Sequence, residues 1–251
     1  MILDEIIRRT EKRVTKLPGK FPNPAPFPHP NLADAIHAAK GGNAVIAEIK
    51  CSSPSRGLIR RNVDIGMMAG VLAGGGCVAL SVLTEPYFFG GSIRDIVRAK
   101  EMVRLPVLRK DFIIDERQIA ETRALGADSV LLIAAVLKDR LPLFVDYAYE
   151  AGIEPLVEVH TEEEVNSALA TRAQVIGINN RSLSTFTIDR STTRSLSRPI
   201  RLAGKTIVSE SGIRSADDLR ELRPFCDAFL IGSSIMAHEE PRKKLEEFVC
   251  A

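Results

Sequence analysis

The sequence predicts an α/β chain folded as a single (β/α)8 barrel, the TIM-barrel architecture, with one extra helix at the N-terminus. Three observations carry that expectation. Short apolar runs recur after residue 31 and end near residues 50, 83, 110, 133, 158, 178, 209 and 231. Stretches of helical period separate them, as successive βα units require. The chain has 251 residues, a length that fits eight such units. A doubly wound open sheet would alternate in the same way, but the first strand-to-helix turn lacks GxGxxG.

In chain order, residues 2–16 read as an amphipathic helix with Ile2, Leu3, Ile6 and Ile7 on one face. Residues 18–30 hold six prolines in thirteen positions, which excludes regular helix or central strand. Residues 1–30 are therefore an N-terminal helix plus a stiff connector to one domain spanning 1–251. A ligand for a proline-binding domain is the alternative use of the connector. The expected strands are Val45–Lys50, Val78–Leu83, Val107–Lys110, Ser129–Ile133, Pro155–Glu158, Val175–Asn179, Thr206–Glu210 and Phe229–Gly232. Helices are expected over Glu116–Leu125, Leu141–Ala151, Thr161–Ala170 and Ser215–Leu222, the last two opening on Thr and Ser with acidic first turns.

Composition narrows the function. A hydrophobic fraction of 45% and a charged fraction of 26% are ordinary for a globular protein. The net charge of +2, with no basic block and 5% aromatics, gives no case for nucleic acid. The acidic start at Asp4-Glu5 and the absence of a long apolar stretch argue against a leader or membrane span, so a cytoplasmic protein is expected. Cys51, Cys77, Cys226 and Cys250 lie far apart and read as reduced thiols. Cys51 borders the first strand end but has no histidine near it in sequence, and His29, His37, His160 and His238 lack metal-ligand spacing.

The chemistry gathers at the strand ends. Buried parallel strands normally carry no charge, yet the first ends in Glu48-Ile49-Lys50. Alternation puts Glu48 and Lys50 on the face of Ile46, Lys110 with Leu108, Glu158 with Leu156, and Asn179 and Arg181 with Gly177. In a barrel the C-terminal strand ends share one pocket, so these residues, with Glu210 from the seventh strand, would converge there. Charges so close shift one another's pKa values, as acid and base work needs. A structural ion-pair network is the plainer alternative. Ser211-Gly212 and Gly232-Ser233-Ser234 follow the seventh and eighth strands, where barrels commonly bind phosphate. Phe88, Phe89 and Phe112 add an apolar rim, so the expected ligand is a phosphorylated, partly aromatic small molecule.

Taken together, these stretches resemble the indole-3-glycerol phosphate synthase family. The resemblance runs through Ala47-Glu48-Ile49-Lys50-Cys51-Ser52-Ser53-Pro54-Ser55, Leu83-Thr84-Glu85 to Gly91-Ser92, and Pro106-Val107-Leu108-Arg109-Lys110-Asp111-Phe112. It continues through Leu156-Val157-Glu158-Val159, Gly177-Ile178-Asn179-Asn180-Arg181, Val208-Ser209-Glu210-Ser211-Gly212 and Phe229-Leu230-Ile231-Gly232-Ser233. The family closes the indole ring of 1-(2-carboxyphenylamino)-1-deoxyribulose 5-phosphate, releasing carbon dioxide and water, without metal or organic cofactor. The resemblance implies Lys110 as general acid, Lys50 pairing with the substrate carboxylate, and Glu48 holding Lys50. It implies Glu158 as base, with Asn179 and Glu210 binding sugar hydroxyls or ordering the lysines. Ser211, Gly212, Leu230, Gly232 and Ser233 would surround the phosphate, with Arg181 and Ser53 near the pocket, while Phe89 and Phe112 flank the ring. The chain departs from the family at Pro86-Tyr87 and Gly90 in the second βα loop.

Two alternatives stand beside this. Another phosphate-binding barrel enzyme, such as a phosphoribosylanthranilate isomerase, would need a Cys/Asp acid-base pair where this chain has Glu48/Lys50. A non-catalytic ligand-binding barrel would not need Lys50, Lys110 and Glu158 together. A monomer is expected, with docking to neighbouring pathway enzymes left open.

Overall fold

Apolar strand faces need cover on both sides, and this chain supplies it by closing the sheet on itself inside a ring of helices. A computed structural model describes residues 2–22, 27, 29–183 and 185–251. Eight parallel strands form the closed barrel: β1 (Ala44–Ile49), β2 (Ala79–Leu83), β3 (Val107–Lys110), β4 (Ser129–Ile133), β5 (Glu154–Val159), β6 (Val175–Asn179), β7 (Thr206–Glu210) and β8 (Ala228–Ile231). Each pairs with its neighbours in sequence, and β1 closes the ring by pairing with β2 and β8. The expected strands are all present within a residue or two at each end. Part of the proline-rich connector, residues 23–26 and 28, lies outside the described residues.

Alternation sorts the strand residues into two cores. Ala44, Ile46, Leu108, Leu131, Ile133, Leu156, Val208 and Leu230 fill the barrel interior. Val45, Ala47, Ile49, Val107, Val157 and Ile207 face the surrounding helices. The helices expected from period are observed at Glu116–Leu125, Leu141–Glu150, Glu162–Leu169 and Ala216–Leu222. Thr161 and Ser215 cap the last two, accepting from the N–H of Glu164 and Asp218 respectively.

N-terminal helices pack against both mouths of the barrel. Helix α1 (Ile2–Val14) lays Ile2, Leu3 and Ile6 over the C-terminal strand ends. Helix α2 (Leu32–His37) sends Leu32 and Ile36 into the interior core, and Glu154 at the start of β5 accepts the N–H groups of Leu32 and Ala33 at 2.7 and 3.0 Å. A carboxylate at a helix N-terminus satisfies orphan donors and favours the dipole. A two-stranded hairpin, Ser52–Ser53 with Gly57–Leu58, follows β1 and was not anticipated from the sequence.

Candidate active site

A cavity opens at the C-terminal ends of the barrel strands, and its floor is a cluster of charge. Lys110 Nζ donates to Glu158 Oε2 at 2.8 Å and to Glu210 Oε2 at 2.5 Å. Lys50 Nζ meets Glu48 Oε1 at 2.6 Å. All five line the cavity with Asn179. Their convergence follows from parity: Glu48, Lys110, Glu158 and Glu210 are the last inward positions of their strands, each above an interior apolar residue, and Lys50 follows Glu48 just past the end of β1. Register sets the heights, with Glu158 beside Gly177 and Asn179 beside Glu210.

Two glycines make room for this cluster. A Cβ on Gly177 would run into the Glu210 carboxylate and reach Leu156 Cδ2 at 2.7 Å. A Cβ on Gly232 would come within 2.5 Å of Glu48 Oε1. Side chains from neighbouring strands cross over these positions, so only glycine leaves both carboxylates in place.

The carboxylates are electrostatically unequal. Burial disfavours the charge on Glu158, but Lys110 and His160 outweigh it and hold its pKa at about 2. Burial raises Glu210 to about 7, because Lys110 offsets it only in part and the charge on Glu158 adds to it. Among the described residues, nothing donates to Glu210 Oε1, which is buried. Burial likewise opposes the ammonium of Lys110, but Glu158, Glu210 and Glu48 outweigh it and push its pKa above that of an ordinary lysine. At rest the site therefore holds a cation between one anion and one carboxyl poised to titrate near neutrality.

One wall is apolar. Phe89, Phe112, Leu131 and Leu183 line it with Ile2 and Leu3 of α1, and the Phe89 and Phe112 ring centroids are 6.2 Å apart. Glu85 builds the loop that carries Phe89, its carboxylate accepting the N–H groups of Tyr87, Phe88 and Phe89. Phe88 departs from expectation: it is absent from the cavity wall and faces the Arg9 guanidinium at 5.7 Å. Phe88 and Phe89 lie in a turn rather than a strand, so period-two alternation does not set which of them reaches the cavity.

The opposite wall is small and cationic. Ser211, Gly212, Leu230, Gly232, Ser233 and Ser234 line it with Arg56, Arg181 and Arg214. Ser211 and Gly212 both have positive φ, +67° and +87°, and Ser211 holds that conformation at a cost of order 1–3 kcal/mol. Asn180 fixes the turn by donating to Ser211 O at 3.0 Å. Ser234 Oγ donates to Ile213 O at 2.5 Å, tying the loops after β7 and β8 together. Burial, aided by Arg56 and Arg214, lowers the pKa of Arg181, an excess of positive charge suited to an anion.

Ser53 is placed differently from the other expected residues. It lies buried in the hairpin after β1, outside the cavity lining, while Ser55 of that hairpin meets Arg181 NH1 at 3.3 Å. Cys51 lies outside the cavity lining, and burial and Asp95 raise its thiol pKa. Sequence reasoning missed Arg56, Arg214 and the α1 residues, which reach the site through loop and helix packing. His160, which shares the parity of Glu158, stands beside it with Nε2 3.4 Å from Glu158 Oε1.

Comparison with known proteins agrees with this architecture. The family profile described as indole-3-glycerol phosphate synthase matches residues 3–248. An indole-3-glycerol phosphate synthase of Methanocaldococcus jannaschii is 47% identical over 221 residues, 87% of this chain and 82% of that protein. One from Campylobacter curvus is 41% identical over 96% of both chains, and one from Thermoanaerobacter sp. (strain X514) is 39% identical over 99% and 97%. Among solved structures, a thiamine phosphate pyrophosphorylase from Pyrococcus furiosus overlays with a TM-score of 0.60 at 17% identity, covering 84% of this chain and 95% of that one, a likeness of fold alone. With its profile match from end to end and its barrel intact, the chain belongs to the indole-3-glycerol phosphate synthase family.

Proposed function

We propose that Lys110 is the proton donor in the reaction this protein catalyses, the conversion of 1-(2-carboxyphenylamino)-1-deoxyribulose 5-phosphate to indole-3-glycerol phosphate in tryptophan biosynthesis. The observation that carries the assignment is the Lys110 ammonium clamped between Glu158 and Glu210 at the cavity floor. Ring closure turns a ketone oxygen into an alkoxide. A fixed ammonium in a dry site stabilises that charge and supplies the proton without reorganising. Glu158 then removes the ring proton in the dehydration step. Its contact with Lys110 at 2.8 Å lets the proton pass back to the amine.

The remaining roles follow from the two walls. Phe89 and Phe112 hold the aromatic ring, and Lys50, held by Glu48, pairs with the carboxylate that leaves as carbon dioxide. Ser211, Gly212, Gly232 and Ser233 receive the phosphate, with Arg181, Arg56 and Arg214 contributing charge and Leu230 packing beneath. Asn179 orders Glu158, and Glu210, with its open Oε1, accepts from a sugar hydroxyl. A monomer is the expected working unit of this scheme. The cysteines are all free, which fits the cytoplasm. No helix among the described residues is long and apolar enough to cross a membrane.

Purified protein given the anthranilate-ribulose phosphate, without added metal, is expected to release a fluorescent indole product. A flat trace from folded protein overturns the reading. The same assay tests Glu210, whose acceptor form is its anion. With its pKa at about 7, the ionised fraction and kcat/KM rise together as pH increases through that value. Glu210→Gln is expected to abolish this limb, and a variant that keeps it removes Glu210 as its source.

A further inference from the structure

We propose that His160 is the proton inlet of this site, a relay that acts through Glu158 and resupplies from solvent the proton each turnover consumes. The need for an inlet is stoichiometric. The substrate enters with an ionised carboxylate and leaves without it. One proton goes onto the ketone oxygen and one onto the departing hydroxyl, while one is released from the new ring. The carboxylate takes no proton with it, since it departs as carbon dioxide and leaves its electron pair behind. Each cycle therefore takes up one net proton, and substrate stands between the floor and the cavity mouth.

The geometry supplies a second way in. Lys110 Nζ contacts Glu158 Oε2 at 2.8 Å, and His160 Nε2 faces the other oxygen, Oε1, at 3.4 Å. His160 Nδ1 meets Glu164 Oε2 at 3.1 Å, and the same oxygen accepts the His160 backbone N–H at 2.7 Å. Side-chain exposure climbs along this row, from 3% at Glu158 to 10% at His160 and 19% at Glu164. His160 and Glu164 line a second cavity beside the first, with Thr161 and Asn180, and Asn179, Leu183 and Leu3 form part of both cavities. His160 Nε2 is buried and makes no hydrogen bond among the described residues. The carboxylate it faces is that of the proposed base.

The imidazole is charged to suit. Burial opposes its proton, but Glu164, Glu158 and the more distant Glu210 outweigh it and raise its pKa. In the transfer, the Nε2–H bond breaks and an O–H bond forms on Glu158 Oε1. Rotation of the carboxyl group then presents that proton to the Lys110 amine, left neutral by donation to substrate. The imidazole turns its bare nitrogen to the second cavity and recovers a proton from water there. Atoms and charge balance, and no other reactant enters.

The inference rests on Lys110 and Glu158 acting as assigned above, so the test separates the two. His160→Gln keeps a polar side chain of similar reach but carries no exchangeable acid. It is expected to lower kcat at least about tenfold, below the full effect of a direct proton-transfer group, with KM unchanged. Its solvent deuterium isotope effect on kcat is expected to exceed that of the wild type, and added imidazole to restore turnover. Glu164→Gln is expected to raise the isotope effect in the same sense, and it carries the test if His160→Gln fails to fold. Near-normal kcat in His160→Gln overturns the relay. So does a loss that imidazole does not rescue and that leaves the isotope effect unchanged, since that is a structural role alone. Glu158→Gln is expected to be silent with or without imidazole, and turnover in that variant would instead sink the assignment of the base.

Discussion

Replacing Lys110 by alanine lowers kcat at least about a hundredfold, the floor for a directly acting proton donor, while the barrel stays folded. The cost corresponds to about 2.7 kcal/mol of transition-state stabilisation. No other cation takes its place: Lys50 is held by Glu48 at 2.6 Å, on the neighbouring side of the barrel. Folding survives because Glu158 and Glu210, left facing each other, can share a proton. The price is a changed pH dependence. Carboxyls whose folded pKa rises above the unfolded value near 4.5 contribute stability below that value and lose it as pH rises. Lys110→Ala should therefore be relatively more stable at pH 5 than at pH 8. Circular dichroism and the fluorescence assay read both outcomes, and turnover near the wild-type value would remove Lys110 from its role.

The largest stability effect is expected one residue away. Arg109 points outward from β3 and is 1% exposed, with NH1 donating to Gln118 O and Thr122 Oγ1, both at 2.9 Å. Its NH2 donates to Glu121 at 2.8 Å and Asp111 at 3.1 Å. Asp111 also receives Arg13 of α1 at 2.7 Å and Thr84 Oγ1 at 2.7 Å. Arg109→Ala takes the guanidinium from Glu121 and leaves Asp111 to Arg13 and Thr84 alone, and breaking such a buried pair costs about 3–5 kcal/mol. In a chain of this size that lowers the unfolding midpoint by roughly 10 °C. Arg109→Lys should rescue little, because a point charge cannot serve four acceptors in a fork.

The pH response of that variant has a definite sign. Burial opposes the charge on Asp111, but Arg109 and Arg13 outweigh it and depress its pKa. A depressed carboxyl contributes stability above its unfolded value of 3.8 that is lost as pH falls further. Without Arg109 the depression shrinks, so acid unfolding should begin at higher pH. An unchanged acid limb and midpoint would show the cluster to be energetically idle.

Much of this was legible from single strands. Alternation alone placed Glu48, Lys110, Glu158 and Asn179 on the inward face, because a strand repeats every two residues whatever its neighbours do. Small residues after β7 and β8 marked a stretch that does line the cavity, for a similarly local reason. Loops were harder. Phe88 was expected beside Phe89 but turns out towards Arg9, and Ser53 is buried in a hairpin that no periodicity announced. Arg13 reaches Asp111 across 98 positions of sequence, a contact set by how α1 crosses the barrel mouth.

The sequence by itself determined the alternation of elements, hence the barrel, and which residues stand at its catalytic end. Those are consequences of period and burial, and each is written within a few residues. Only the tertiary structure decided who meets whom. Lys110 on β3 bonds Glu158 on β5 and Glu210 on β7, strands that are not adjacent, because barrel closure and stagger bring alternate strands together at one height across the interior. That meeting holds Glu158 ionised and leaves Glu210 ready to titrate, with His160 beside Glu158. A strand read alone carries the charge but not its partner.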